Sequence, residues 1–149
     1  MSKRPTARGV EHRIEIAASA ATVWRLLADL DGWGDWNPLY IEASGQPVVG
    51  QAFAMTIALE GMKPQKARAT IVTVEAEALL EYAISNLGGL VKAFRYVEIE
   101  PLDPGSCAVR NGEIMTGLMG RLLAGAVGNK VRKGLQAMNE GLKARVEAA

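Results

Sequence analysis

A chain of 149 residues, 49% of them apolar and 22% charged, is long enough to bury a sizeable core and too apolar to be a disordered segment. Its 17 basic and 16 acidic side chains leave a formal charge of +1 spread along the chain, which excludes the electrostatic footprint of a nucleic-acid binder. One cysteine and one histidine exclude an intrachain disulfide and a zinc site of nitrogen and sulfur ligands, so no metal and no cofactor is expected.

The opening MSKRPTARG is basic, without the apolar run of a secretory signal, and no stretch reaches the roughly 18 apolar residues of a membrane span; no membrane insertion and a cytoplasmic location are expected. VEHRIEI then alternates. Val10, His12, Ile14 and Ile16 share one face of a half-buried strand, with Glu11, Arg13 and Glu15 on the other. Ser19 offers an N-cap to a short amphipathic helix whose stripe is Val23, Leu26, Leu27 and Leu30. DGWGDWNP cannot continue that helix, because two glycines and an Asn-Pro oppose it, and it reads as a second short helix or turn.

From Tyr40 to Met115 six segments read as strands: YIEAS, QAFAMTIALE, KARATIVTVEA, LLEYAISN, LVKAFRYVEIE and CAVRNGEIM. Their separators, GQPVVG, GMKPQ, NLGG and LDPGS, carry turn residues, and the consecutive strands imply antiparallel pairing. NLGG is a turn, not a phosphate cradle, since no lysine and helix start follow it. Leu118 to Ala149 predicts one long helix with Leu118, Leu122, Leu135, Met138, Leu142 and Val146 on its apolar stripe. Five glycines along it each cost about 1 kcal/mol relative to alanine, so packing must hold it, and Gly125 with Gly128 mark an expected kink. One domain over residues 1–149 is expected.

This order, with VWRLLADLDGWGDWNP after the first strand, VEIEPLDPG closing the sixth and GEIMTGLMGRLL entering the last helix, resembles the START-like superfamily, in its polyketide cyclase/dehydrase branch. The resemblance implies an α+β helix-grip fold: a seven-stranded antiparallel sheet curled around the long C-terminal helix, with two short helices after strand 1 closing one end. It also implies an apolar cavity that takes lipids, polyketides or related molecules. Trp36 and Pro38 match the family's Trp-x-Pro loop, and Trp33 stands either at the opening or in plain packing.

Alternation turns Phe53, Met55, Ile57 and Leu59 inward, and likewise Leu80, Tyr82 and Ile84. In LVKAFRYVEIE the inward set is Val91, Ala93, Arg95, Val97 and Ile99, which leaves Phe94 and Tyr96 on the convex surface. The family's spacing sends Cys107, Val109, Asn111, Glu113 and Met115 inward, so Arg95 falls opposite or diagonal to Asn111 and Glu113. Cys107 there is a small hydrophobe, and Lys130, Arg132, Lys133, Lys143 and Arg145 form the solvated face of the last helix.

Polar groups among apolar walls need partners, and a ligand's polar end would supply one. The candidate ligand-binding set is His12, Trp33, Phe53, Met55, Ile57, Tyr82, Arg95, Asn111, Glu113 and Met115, and the expected partner is a hydrophobic small molecule. A cyclase or dehydratase is the second reading, with Glu113 or His12 as acid or base, although no nucleophile stands at a recognisable spacing from a base. The third is a docking module in which exposed Phe94 and Tyr96 bind a protein or pair two copies as a weak homodimer.

Overall fold

A computed structural model describes residues 1–86 and 91–148. The turn expected at Asn86–Gly89 lies largely outside the described residues, as do the side chains of Val91, Leu118, Met119 and Leu122.

The elements run β1 (Val10–Ile16), α1 (Ala20–Ala28), a 3₁₀ helix (Leu30–Asp35), β2 (Tyr40–Ser44), β3 (Ala52–Ile57), β4 (Gln65–Glu75), β5 (Leu79–Asn86), β6 (Val91–Asp103), β7 (Ser106–Thr116) and α2 (Leu118–Glu147). The strands form one antiparallel sheet in the order β1-β7-β6-β5-β4-β3-β2, curled into a half-barrel that holds α2 against β1, β6 and β7. This is the expected α+β helix-grip architecture.

Local chemistry sets the boundaries. Ser19 Oγ accepts from Thr22 N at 3.2 Å and starts α1. Asn37 Oδ1 accepts from both Leu39 N and Tyr40 N at 3.0 Å, a side-chain turn that redirects the chain into β2 after Asn-Pro. At the end closed by the short helices, Trp33 is fully buried and its Nε1 donates to Leu27 O at 3.1 Å. Its ring stacks on Tyr40 with centroids 5.4 Å apart and meets Phe53 edge-on at 6.0 Å, while Phe53 meets Tyr82 edge-on at 4.9 Å. Aromatic packing fills this end.

The convex face departs from expectation. Phe94 and Tyr96 do point outward, but both are buried, in a second small core with Leu79 and Ile114. The N-terminal residues cover it. The Arg4 guanidinium lies 3.5 Å from the Tyr96 ring centroid, and fully buried Glu81 accepts from Ser2 Oγ at 2.5 Å and Lys3 N at 2.8 Å. The Tyr96 hydroxyl donates to Glu11 at 2.8 Å, and burial together with that bond pushes its pKa up to about 12. The exposed aromatic patch on which the docking reading rested is therefore absent, because the basic leader folds back over it.

Candidate functional site

Antiparallel register brings the inward polar residues together. Tyr82 pairs with Arg95, Arg95 with Glu113, and Glu113 with Val10, while Val97, Asn111 and His12 form the next row. Since period two holds across all four strands, every one of these polar side chains faces α2.

Arg95 is fully buried, and its donors are used one by one. Nε donates to the Tyr40 hydroxyl at 3.0 Å; Nη1 donates to Asn111 Oδ1 and to Gly112 O, both at 2.6 Å. Among the described residues Nη2 finds only the Met138 sulfur, at 3.5 Å. The guanidinium also lies 5.7 Å and 5.5 Å from the ring centroids of Tyr40 and Tyr82. Burial opposes its charge, but Tyr40, Tyr82 and Glu113 outweigh that and raise its pKa.

A chain of amides continues from Arg95 to the surface. Asn111 Nδ2 donates to Asn139 Oδ1 at 3.2 Å, and Asn139 Nδ2 donates to His12 O at 3.0 Å and lies 2.9 Å from His12 Nδ1. Both ends fix its direction. A guanidinium can only donate and a backbone carbonyl can only accept, so each amide has one orientation that satisfies its neighbours. His12 Nδ1 then accepts, and the proton of the neutral ring sits on Nε2.

Glu113 stands apart from this network. Its Oε1 lies 3.7 Å from Arg95 Nε, within ion-pair range and beyond hydrogen-bond range, and the side chain is 15% exposed. Burial raises its carboxyl above the ordinary range, with Arg95 pulling the other way. The Tyr82 hydroxyl, raised well above the ordinary phenol by burial, has no hydrogen-bond partner among the described residues.

Beside Glu113 is a pocket of about 250 Å³ between the start of β1, the end of β7 and the first half of α2. Val10, Glu113, Met115, Gly125, Gly128 and Val131 line it, with Gly9 and Arg8 at its edge. A larger depression of about 630 Å³ crosses strands β2 to β5, but its charged residues, Glu42, Lys66 and Arg68, are exposed and not held against a carboxylate or guanidinium of the interior. The chemistry is at the smaller one.

Of the residues singled out from the sequence, Glu113 and Met115 line this pocket, Arg95 and Asn111 stand behind it, and half-buried His12 ends the amide chain. Tyr82 sits deeper, against Arg95. Trp33, Phe53 and Met55 are packed in the interior away from the pocket, and Ile57 is partly buried against the same core. Sequence reasoning missed Tyr40 and Asn139. The second left a signal, since Asn139 occupies the i+4 slot of Leu135 on the stripe of α2, where a lone polar residue asks for a partner.

The sequence profile described as "Polyketide cyclase / dehydrase and lipid transport" matches residues 7–147. None of the curated proteins matches the chain in sequence. Among solved structures it is similar to norcoclaurine synthase from Thalictrum flavum, at 20% identity and a TM-score of 0.70 over 95% of this chain and 94% of that one. It is similar also to the Zhui aromatase/cyclase from Streptomyces sp. R1128, at 17% identity and 0.74 over 94% and 93%. A START superfamily protein from Mycobacterium smegmatis shares 19% identity and scores 0.70 over 94% and 97%. At these identities the structural likeness concerns the fold.

Proposed function

The chain belongs to the polyketide cyclase/dehydrase and lipid transport family, and on that premise we propose that it binds a hydrophobic small molecule with one polar end. The guest occupies the pocket between β1, β7 and the first half of α2. One observation carries this reading: a largely but not fully buried carboxyl, Glu113, opens on an otherwise largely apolar pocket with a fully buried guanidinium 3.7 Å behind it and no hydrogen bond of its own among the described residues. Apolar walls with a few convergent polar groups are how ligand sites hold and orient a guest.

Glu113 and Met115 touch the guest directly. Arg95, Asn111 and His12 act through the hydrogen-bonded chain that holds the floor rigid, and Tyr82 offers a further polar contact toward the interior. Trp33, Phe53, Met55 and Ile57 shape the body of the fold around it. No helix among the described residues is long and apolar enough to cross a membrane, and the role proposed is that of a cytoplasmic carrier or sensor. The test is displacement of an apolar fluorescent probe by a panel of hydrophobic molecules, on wild type and on Glu113→Gln. Competition that weakens in the variant supports the reading, and a panel in which nothing competes overturns it.

A second reading, an enzyme of the cyclase or dehydratase kind, is favoured by the raised carboxyl of Glu113, which can hold and return a proton nearer neutral pH than an exposed glutamate can. On this reading Glu113→Gln abolishes turnover of a substrate that the variant still binds.

A further inference from the structure

The leader that covers the convex face is held there by polar contacts. Thr73, Glu81, Tyr96, Gly112 and Glu11 are neighbours in one row across β4, β5, β6, β7 and β1. At Gly112 a Cβ would run into the Tyr96 ring, so the glycine lets that ring lie across β7 and bring its hydroxyl to Glu11. The ring laid down in this way is the platform for the Arg4 guanidinium, which also lies 3.7 Å from Glu98. Beside it, fully buried Glu81 accepts from Ser2 Oγ and Lys3 N. Contacts of this kind are reversible where an apolar cover is not, because the carboxylate, the guanidinium and the hydroxyl all regain hydration when the leader lifts. Two groups gain a partner outright, since Arg4 Nε and Thr73 Oγ1 are buried without one among the described residues.

The same leader reaches the pocket beside Glu113. Arg8 and Gly9 stand at its edge, and Gly9 runs so close to β7 that a Cβ there would strike the Glu113 carbonyl oxygen. Val10 then pairs with Glu113 as the first residue of β1. One short segment thus joins a polar anchorage on the convex face to the pocket wall. Pro5 fixes the backbone directly after Arg4, and the exposed residues Thr6, Ala7, Arg8 and Gly9 are left to bend. We propose that residues 2–4 are a latch that holds Arg8 and Gly9 against the edge of the pocket, and that its release opens this edge and speeds the entry and exit of a guest. The inference rests on the ligand-binding reading of the pocket and concerns how fast a guest exchanges, not what the guest is.

The experiment compares wild type with the double variant Ser2→Ala, Arg4→Ala, which removes the hydroxyl on Glu81 and the guanidinium on Tyr96 and changes no residue that lines the pocket. Amide exchange of Lys3, whose N–H donates to Glu81, reads the latch. Stopped-flow fluorescence of 2-naphthol, used as a reporter of occupancy, reads the pocket. Lys3 exchange is expected to quicken about tenfold or more, the population shift that follows the loss of a hydrogen bond to a charged group. Association and dissociation of 2-naphthol should both quicken by a like factor, with Kd changing less than about threefold, since a gate alters the barrier and not the end states. A leader that is only a structural cover would quicken Lys3 exchange and leave both rates alone, and that result overturns the inference while the ligand-binding reading stands. A raised Kd with unchanged association overturns it too, by making the leader part of the site, and so does unchanged Lys3 exchange, which would mean that Ser2 and Arg4 do not hold the leader. Failure of 2-naphthol and of the hydrophobic panel to bind wild type removes both readings.

Discussion

The two ends of the space beneath α2 are built from the same helix and the same sheet and are packed in opposite ways. At the closed end, Trp33, Tyr40, Phe53 and Tyr82 pack against one another, stacked or edge-on, and the C-terminal half of α2 comes so close that Gly141 leaves no room for a Cβ beside the Trp36 carbonyl. At the open end, a pocket borders Gly125 and Gly128, and a carboxyl stands in its wall without a hydrogen bond among the described residues. A close-packed interior transmits strain and stays put, whereas a void lined by apolar groups is held open at a cost. On the proposed function, the difference puts stability at the tryptophan end and ligand capacity at the glycine end, with the Arg95–Asn111–Asn139–His12 chain as the partition between them.

The comparison is broken most severely at Trp33. Trp33→Ala removes a fully buried indole and its hydrogen bond to Leu27, and denaturant unfolding should show a loss of about 3–5 kcal/mol. A loss near zero would mean the closed end is not where the stability lies. Gly141→Ala should cost about 1–3 kcal/mol by the same measurement, since its Cβ would run into backbone and not into a yielding side chain.

Asn139→Ala interrupts the partition. It leaves the Asn111 amide without its acceptor and His12 without its donor, and a destabilisation of about 1–2 kcal/mol follows from the unpaired buried groups. Here 2-naphthol affinity should fall as well, which a remote loss of stability alone would not cause.

The smallest effect is at Glu113. Burial raises its folded pKa above the unfolded value of 4.5, so the folded state holds the proton more tightly; that stabilisation is complete below the unfolded pKa and is lost as pH rises through the folded one. Glu113→Gln, neutral throughout, escapes the loss and should gain on wild type as pH rises. A variant that instead loses ground with rising pH would show that attraction to Arg95 outweighs desolvation.

Much of this was legible from residue patterns. Period two placed His12 and Arg95 on the inner face and the family's spacing placed Asn111 and Glu113 there with them, and the rows meet because strands β1, β6 and β7 keep regular register through them. Tyr40 escaped because a register shift between Tyr40 and Glu42 breaks alternation at the start of β2. The burial of Phe94 and Tyr96 escaped for another reason. Alternation reports which face a side chain takes but not what covers that face, and the cover is a basic leader with no periodicity of its own. Nor could a pattern of apolar residues tell the packed end from the open one, since Trp33 and Phe53 look as well suited to lining a cavity as to filling it.

Methionine-methyl NMR tests the division between the two ends most directly, because Met115 lines the pocket and Met55 lies buried away from it. On titration with 2-naphthol the Met115 methyl resonance should shift in proportion to occupancy while that of Met55 stays where it was. A shift confined to Met55, with Met115 unmoved, would place the guest away from the pocket beside Glu113, in the packed interior or in the larger depression that Met55 also lines, and would contradict the account.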